Sequence, residues 1–105
     1  MSDCIFCKII NGDFNTEFVY EDEHCVVFKD INPKADTHLL LVPRIHVESL
    51  NELDDEQLLG KLMMNVKKVT KTLGINSYRT VINTGSEAGQ EVFHLHIHIL
   101  AGRIH

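Results

Sequence analysis

The segment HLHIHIL, residues 94–100, constrains this chain more than any other stretch. Seven histidines occur in 105 residues, and His94, His96 and His98 fall within five positions. In an extended strand, alternate side chains point to the same face. The spacing predicts a strand over 92–100 with three imidazoles on one face and Phe93, Leu95, Ile97 and Ile99 on the other. The apolar row is expected to bury against a helix, leaving the imidazole row where a ligand can reach it.

Three uses for such a row compete. It can be the solvent face of an edge strand, although threonine or lysine serves that purpose as well. It can bind a metal, since histidine is the commonest metal ligand. Ligands two residues apart on one strand are about 7 Å apart, which makes convergence on one ion awkward. It can perform phosphate chemistry, in which a neutral imidazole attacks phosphorus and a neighbouring one binds a phosphoryl oxygen. Close-spaced imidazoles also shift one another's pKa values, which helps keep one neutral while another is charged.

The rest of the chain fits one small globular α+β domain spanning 1–105. Hydrophobic residues make up 44% and charged residues 24%, ordinary for such a domain, and the formal net charge is −5. That charge disfavours non-specific binding to nucleic acid or an anionic membrane. MSDCIFCKII does not read as a signal peptide, and no segment is long and apolar enough to span a bilayer. With three cysteines and no secretory signal, a disulfide framework is not expected, and a reducing, cytoplasmic setting is.

The pattern predicts a short helix over 4–11, ended at Gly12. Strands follow near 17–20, 25–29 and 38–43. A long helix begins at Asp54, with Gln57 completing a capping-box pattern. It carries Leu58, Leu59, Leu62, Met63, Val66, Val69 and Leu73 at helical spacing and ends at Gly74. Strands at 78–84 and 92–100 flank a turn at 85–89. Short links between strands suggest an antiparallel sheet with a helix packed on it. Cys4 and Cys7 have the C-x-x-C spacing of a zinc-ligand pair, a redox pair or two buried cysteines. No thioredoxin-like setting accompanies them. Cys25 reads as core, and His24 and His105 as surface.

The alternating histidines resemble the signature of the histidine triad superfamily. The stretch CIFCKIINGDFNTEFVYEDEHCVVFKDINPKADTHLLLVPRIHVESLNEL is similar to the N-terminal half of its nucleotide-binding (Hint) branch. VINTGSEAGQEVFHLHIHILAGR is similar to the C-terminal half. The resemblance implies a five-stranded antiparallel sheet with one long and one or two short helices, continued across a homodimer. It implies a nucleotidyl hydrolase of the purine nucleoside phosphoramidase type, working through a nucleotidyl-histidine intermediate. Dinucleoside polyphosphate hydrolysis and a non-catalytic nucleotide-binding regulatory role are the alternatives.

By the same resemblance His96 is the nucleophile, His98 binds the α-phosphate, His94 supports His96, and His38 is a fourth active-site histidine. Asp30 is expected at the ribose of an AMP- or GMP-type nucleotide, and Ile5, Phe6, Ile9, Phe28 and Ile31 around the purine. Asn83, Gly89, Gln90 and Val92 are expected near the phosphate. Cys4, Cys7, His46 and His94 are the implied ligands of a structural zinc that the chemistry does not require. Two departures stand out. Glu91 occupies a position where some members have a serine that contacts phosphate or leaving group. The chain also ends at GRIH, where longer members carry a tail that shapes the partner's site, so a more open pocket is expected.

Overall fold

The computed structural model describes residues 3–105. Its elements are α1 (Ile5–Ile10), β1 (Tyr20–Glu21), β2 (Cys25–Lys29), β3 (Ala35–Pro43), α2 (Glu56–Thr72), β4 (Arg79–Val81) and β5 (Ile97–Ile104). The five strands form one sheet in the order β1-β2-β3-β5-β4, and every neighbouring pair is antiparallel. The expected architecture of five antiparallel strands, one long helix and one short helix is therefore present.

Both faces of the sheet are covered, which explains why β2 and β3 are continuous apolar runs rather than alternating ones. On one face Val27, Leu39, Leu41, Leu95, Ile97 and Ile99 pack with Leu62, Val66 and Val69 of α2. Cys25 joins this cluster, and burial pushes its thiol pKa up to about 11. On the other face Val26, Phe28, Leu40 and Val42 pack with Phe6 of α1. Strand alternation thus places Leu39 and Leu41 under the long helix and His38 and Leu40 on the opposite side.

Several boundaries differ from the sequence reading. The last strand begins at Ile97, so His94 and His96 lie in an irregular segment before it, and only His98 is on β5. The backbone of that segment is drawn to a loop: Leu95 N–H donates to the Val47 carbonyl at 2.8 Å. Phe93 is correspondingly exposed instead of buried with Leu95 and Ile97. The long helix is capped one residue later than expected, by Asp55, whose carboxylate accepts from Leu58 N–H at 3.1 Å. Asp54 and Gln57 therefore do not form the anticipated capping box. Met63 and Leu73 share the helical spacing of the core row but face outward with Met64.

β5 runs on to Ile104 through an irregularity opposite Ala35–Thr37. Gly102 adopts a φ of +77° there, and a Cβ at this position would lie 2.8 Å from the Asp36 side chain. The Asp36 carboxylate uses that space to accept from Arg103 N–H at 2.8 Å. Only glycine combines the left-handed backbone with this close approach.

The fully buried Leu62 joins helix to sheet. Leu62→Ala is expected to lower the unfolding free energy by about 2–5 kcal/mol in urea titrations, through lost burial and a residual cavity.

Candidate active site

On the α1 side of the sheet lies a cleft of about 650 Å³. Ile5, Phe6 and Ile9 of α1 form one wall, and Phe28, Asp30 and Ile31 the next. His38, His96 and His98 line its floor. Strand register sets this order. Phe28 faces Leu40, Leu40 faces His98 and His98 faces Val81, giving one row across four strands. His38, Leu100 and Arg79 form the adjacent row.

Backbone groups fix the proton on each imidazole. A carbonyl oxygen only accepts, so the contact of His96 Nδ1 with the His94 carbonyl at 2.8 Å puts the proton on Nδ1. The Nε2 lone pair of neutral His96 is then left for the cleft. No buried side-chain nitrogen or oxygen among the described residues lacks a partner, and Nε2 has no protein partner, so it is open to the cleft. Lys34 N–H donates to His38 Nδ1 at 2.9 Å, which places the His38 proton on Nε2. That N–H donates to His98 Nδ1 at 2.9 Å, and His98 keeps its own proton on Nε2 as a donor. The Asp30 carboxylate stands 3.4 Å from His38 Nε2 and accepts from Asn32 N–H at 2.8 Å.

Burial pushes the pKa of His38, His94 and His96 down. Burial, followed by repulsion from His96 and His38, pushes His98 down to about 4. Burial therefore favours the neutral form of all four rings, rather than the expected pairing of a charged imidazole with a neutral one. Phe6 meets His96 edge-on with ring centroids 5.0 Å apart, adding to its dehydration.

Gly89 and Val92 line the cleft, as does Asn83, whose amide donates to the Ala88 carbonyl at 2.8 Å. Gln90 does not line it. Its buried side chain ties the loop together, donating to the Glu48 and Val92 carbonyls and accepting from Gly85 N–H. Glu91 faces the cleft. Sequence reasoning missed Thr16, Lys34 and Arg79, which also line it. Arg79 could have been found from strand alternation, two residues before Val81. Lys34 carries no local signal, because its role depends on the fold of the loop before β3.

His94 is turned away from the cleft and fully buried. Its Nε2–H donates to the Pro43 carbonyl at 2.9 Å, leaving the Nδ1 lone pair facing Cys4, Cys7 and His46. Nδ1 of His94 is 3.3 Å from Cys4 Sγ, 3.6 Å from Cys7 Sγ and 3.2 Å from His46 Nδ1. Cys7 Sγ is 3.4 Å from His46 Nδ1, and all four donor atoms lie within 4.8 Å of one another. Tetrahedral bonds of about 2.0–2.3 Å place donor atoms about 3.3–3.8 Å apart, so the set fits zinc. Asp30, His38 and His98 also cluster. Their tautomers oppose a metal, since His38 Nε2 carries the proton that Lys34 N–H forces onto it.

The HIT domain profile matches residues 11–105. The protein HitA of Neisseria gonorrhoeae is 50% identical over 103 residues, covering 95% of this chain and 96% of that protein. A HIT family hydrolase from Legionella pneumophila superposes with a TM-score of 0.91 at 40% identity, covering 96% of this chain and 94% of that one. A histidine triad nucleotide-binding protein from Candida albicans superposes with a TM-score of 0.85 at 34% identity, covering 92% of this chain and 73% of that one.

The depressed histidine pKa values have a stability consequence. Between the ordinary value of 6.5 and about 4, the unfolded chain takes up a proton that His98 in the folded protein does not. The stabilisation is fully present above pH 6.5 and is lost as the pH falls toward 4. Urea midpoints are expected to fall across that interval, and His98→Asn to make the fall shallower.

Proposed function

This chain belongs to the HIT (histidine triad) family, and we propose that it is a nucleotidyl hydrolase of the purine nucleoside phosphoramidase type. The observation that carries this reading is the tautomer of His96: a neutral ring with Nδ1–H held by a backbone carbonyl and Nε2 open to the cleft. Nε2 attacks the α-phosphorus of a nucleotide, forming a P–N bond as the bond to the leaving group breaks. The leaving group departs with that electron pair and takes a proton from solvent, which the attacking water returns in the second step. Water then cleaves the P–N bond, releasing the nucleoside monophosphate and restoring the free imidazole.

The neighbours fit these steps. Charge developing on the His96 ring strengthens its Nδ1–H bond to the His94 carbonyl, which is already in place. His98 Nε2–H is a donor for a phosphoryl oxygen, and His38 holds it in that tautomer. Ile5, Phe6, Ile9, Phe28 and Ile31 supply apolar surface for a purine, and Asp30 an acceptor for ribose hydroxyls. Asn83, Gly89 and Val92, which line the cleft, are read as the phosphate side, while Gln90 braces the loop that carries them.

The reading includes a structural zinc held by Cys4, Cys7, His46 and His94, supported by their spacing and by the tautomer of His94. Zinc there would crosslink the N-terminal helix to the segment before β5, with no part in bond cleavage. We also read the protein as a cytoplasmic homodimer. Met63, Met64 and Leu73 on α2 and the outer edge of β4 are the surface that suits a second copy. No helix among the described residues is long and apolar enough to cross a membrane.

Incubation with an adenosine phosphoramidate is expected to release AMP, and His96→Ala to slow release by at least about 10³-fold. Undiminished release from that variant would refute the assignment. Metal analysis of purified protein is expected to show one zinc per chain, and His46→Ala to carry markedly less.

A further inference from the structure

Helix α1 is six residues long, too short to persist without tertiary support. It nevertheless performs two tasks. Ile5, Phe6 and Ile9 form a wall of the cleft, while Cys4, its N-cap, and Cys7 face His46 and His94. His94 is equally divided. Its ring points Nδ1 at the two cysteines, and its backbone carbonyl holds the Nδ1–H of His96. Phe6 touches both rings, with centroids 5.9 Å from His94 and 5.0 Å from His96. The four-donor cluster and the cleft thus share one short helix and one residue, His94.

We propose that metal occupancy of the Cys4–Cys7–His46–His94 cluster and nucleotide binding in the cleft are thermodynamically coupled. Four donors gathered on one ion fix α1 against the segment carrying His94 and His96. A nucleotide that packs on Ile5 and Ile9 and reaches His96 favours the same arrangement. Each ligand therefore lowers the cost of the ordering that the other needs. Coupling of this kind is reciprocal, so the factor by which zinc tightens nucleotide binding equals the factor by which nucleotide tightens zinc binding. Cys4, Cys7 and His46 act on the cleft as positioning residues. They touch no substrate in this reading.

The inference rests on the nucleotide reading of the cleft and is tested without turnover, with AMP as probe. Zinc affinity is measured by competition with a chromophoric chelator, with and without saturating AMP. AMP affinity is measured by calorimetry on zinc-loaded and metal-free protein. AMP is expected to tighten zinc binding at least about fivefold, and zinc removal to weaken AMP binding by the same factor. His46 is exposed, so His46→Ala is expected to retain its fold by circular dichroism and to bind AMP like the metal-free protein. Cys7→Ser provides the same comparison from the helix. AMP binding with zinc affinity changed by less than about twofold overturns the coupling and leaves the nucleotide reading standing. Failure of the zinc-loaded protein to bind AMP overturns both.

Discussion

The pairing of β3 with β5 organises the rest of the molecule. Along β3, Leu39 and Leu41 enter the core beneath α2, while His38 and Leu40 face the cleft. Along β5, Ile97 and Ile99 enter the same core and His98 faces the cleft. A slip of one residue in either strand would drive an imidazole into the core and an isoleucine or leucine into the cleft. The burial of four large apolar side chains on one face therefore sets the positions of His38 and His98 on the other. Their 2.9 Å contact follows from register.

On that frame, backbone groups determine where protons reside. The carbonyls of His94 and Pro43 each fix one nitrogen as a donor, and the N–H of Lys34 fixes one as an acceptor. Three peptide groups thereby specify all four tautomers. Peptide groups do not titrate, so the assignment persists at any pH where the rings are neutral. The arrangement also separates neighbours of identical chemistry. His94 turns its lone pair to two sulfurs, while His96, two residues on, turns its lone pair to the cleft.

Much of this was legible in the sequence, through period two. Alternation placed the apolar row of 95–99 under a helix and His96 and His98 on the far side, and the helical spacing of Leu58, Leu62, Val66 and Val69 predicted the element that covers it. Local pattern could not show that 92–96 leaves the ladder, because Leu95 N–H bonds instead to the distant Val47. Met63 and Leu73 satisfy the helical period as well as the buried positions do, and only packing distinguishes them. The union of Cys4 with His94 spans 90 residues in sequence, and that of Cys7 with His46 spans 39. The resemblance to a known family suggested this grouping; spacing alone did not. The resemblance set Gln90 beside Gly89 near the phosphate; Gly89 lines the cleft, whereas the Gln90 side chain makes its three bonds within the loop and to Glu48.

Those three bonds give the loop an unusual freedom. A single carboxamide clasps the backbone on both sides of the turn from Gly85 to Gly89 and the Asn83 amide holds the Ala88 carbonyl, while Ser86, Glu87 and Ala88 stay exposed. None of the hydrogen bonds that shape the turn uses those three side chains. Here the protein has a rim whose outward chemistry can be rewritten, by drift or by design, without disturbing the geometry behind it.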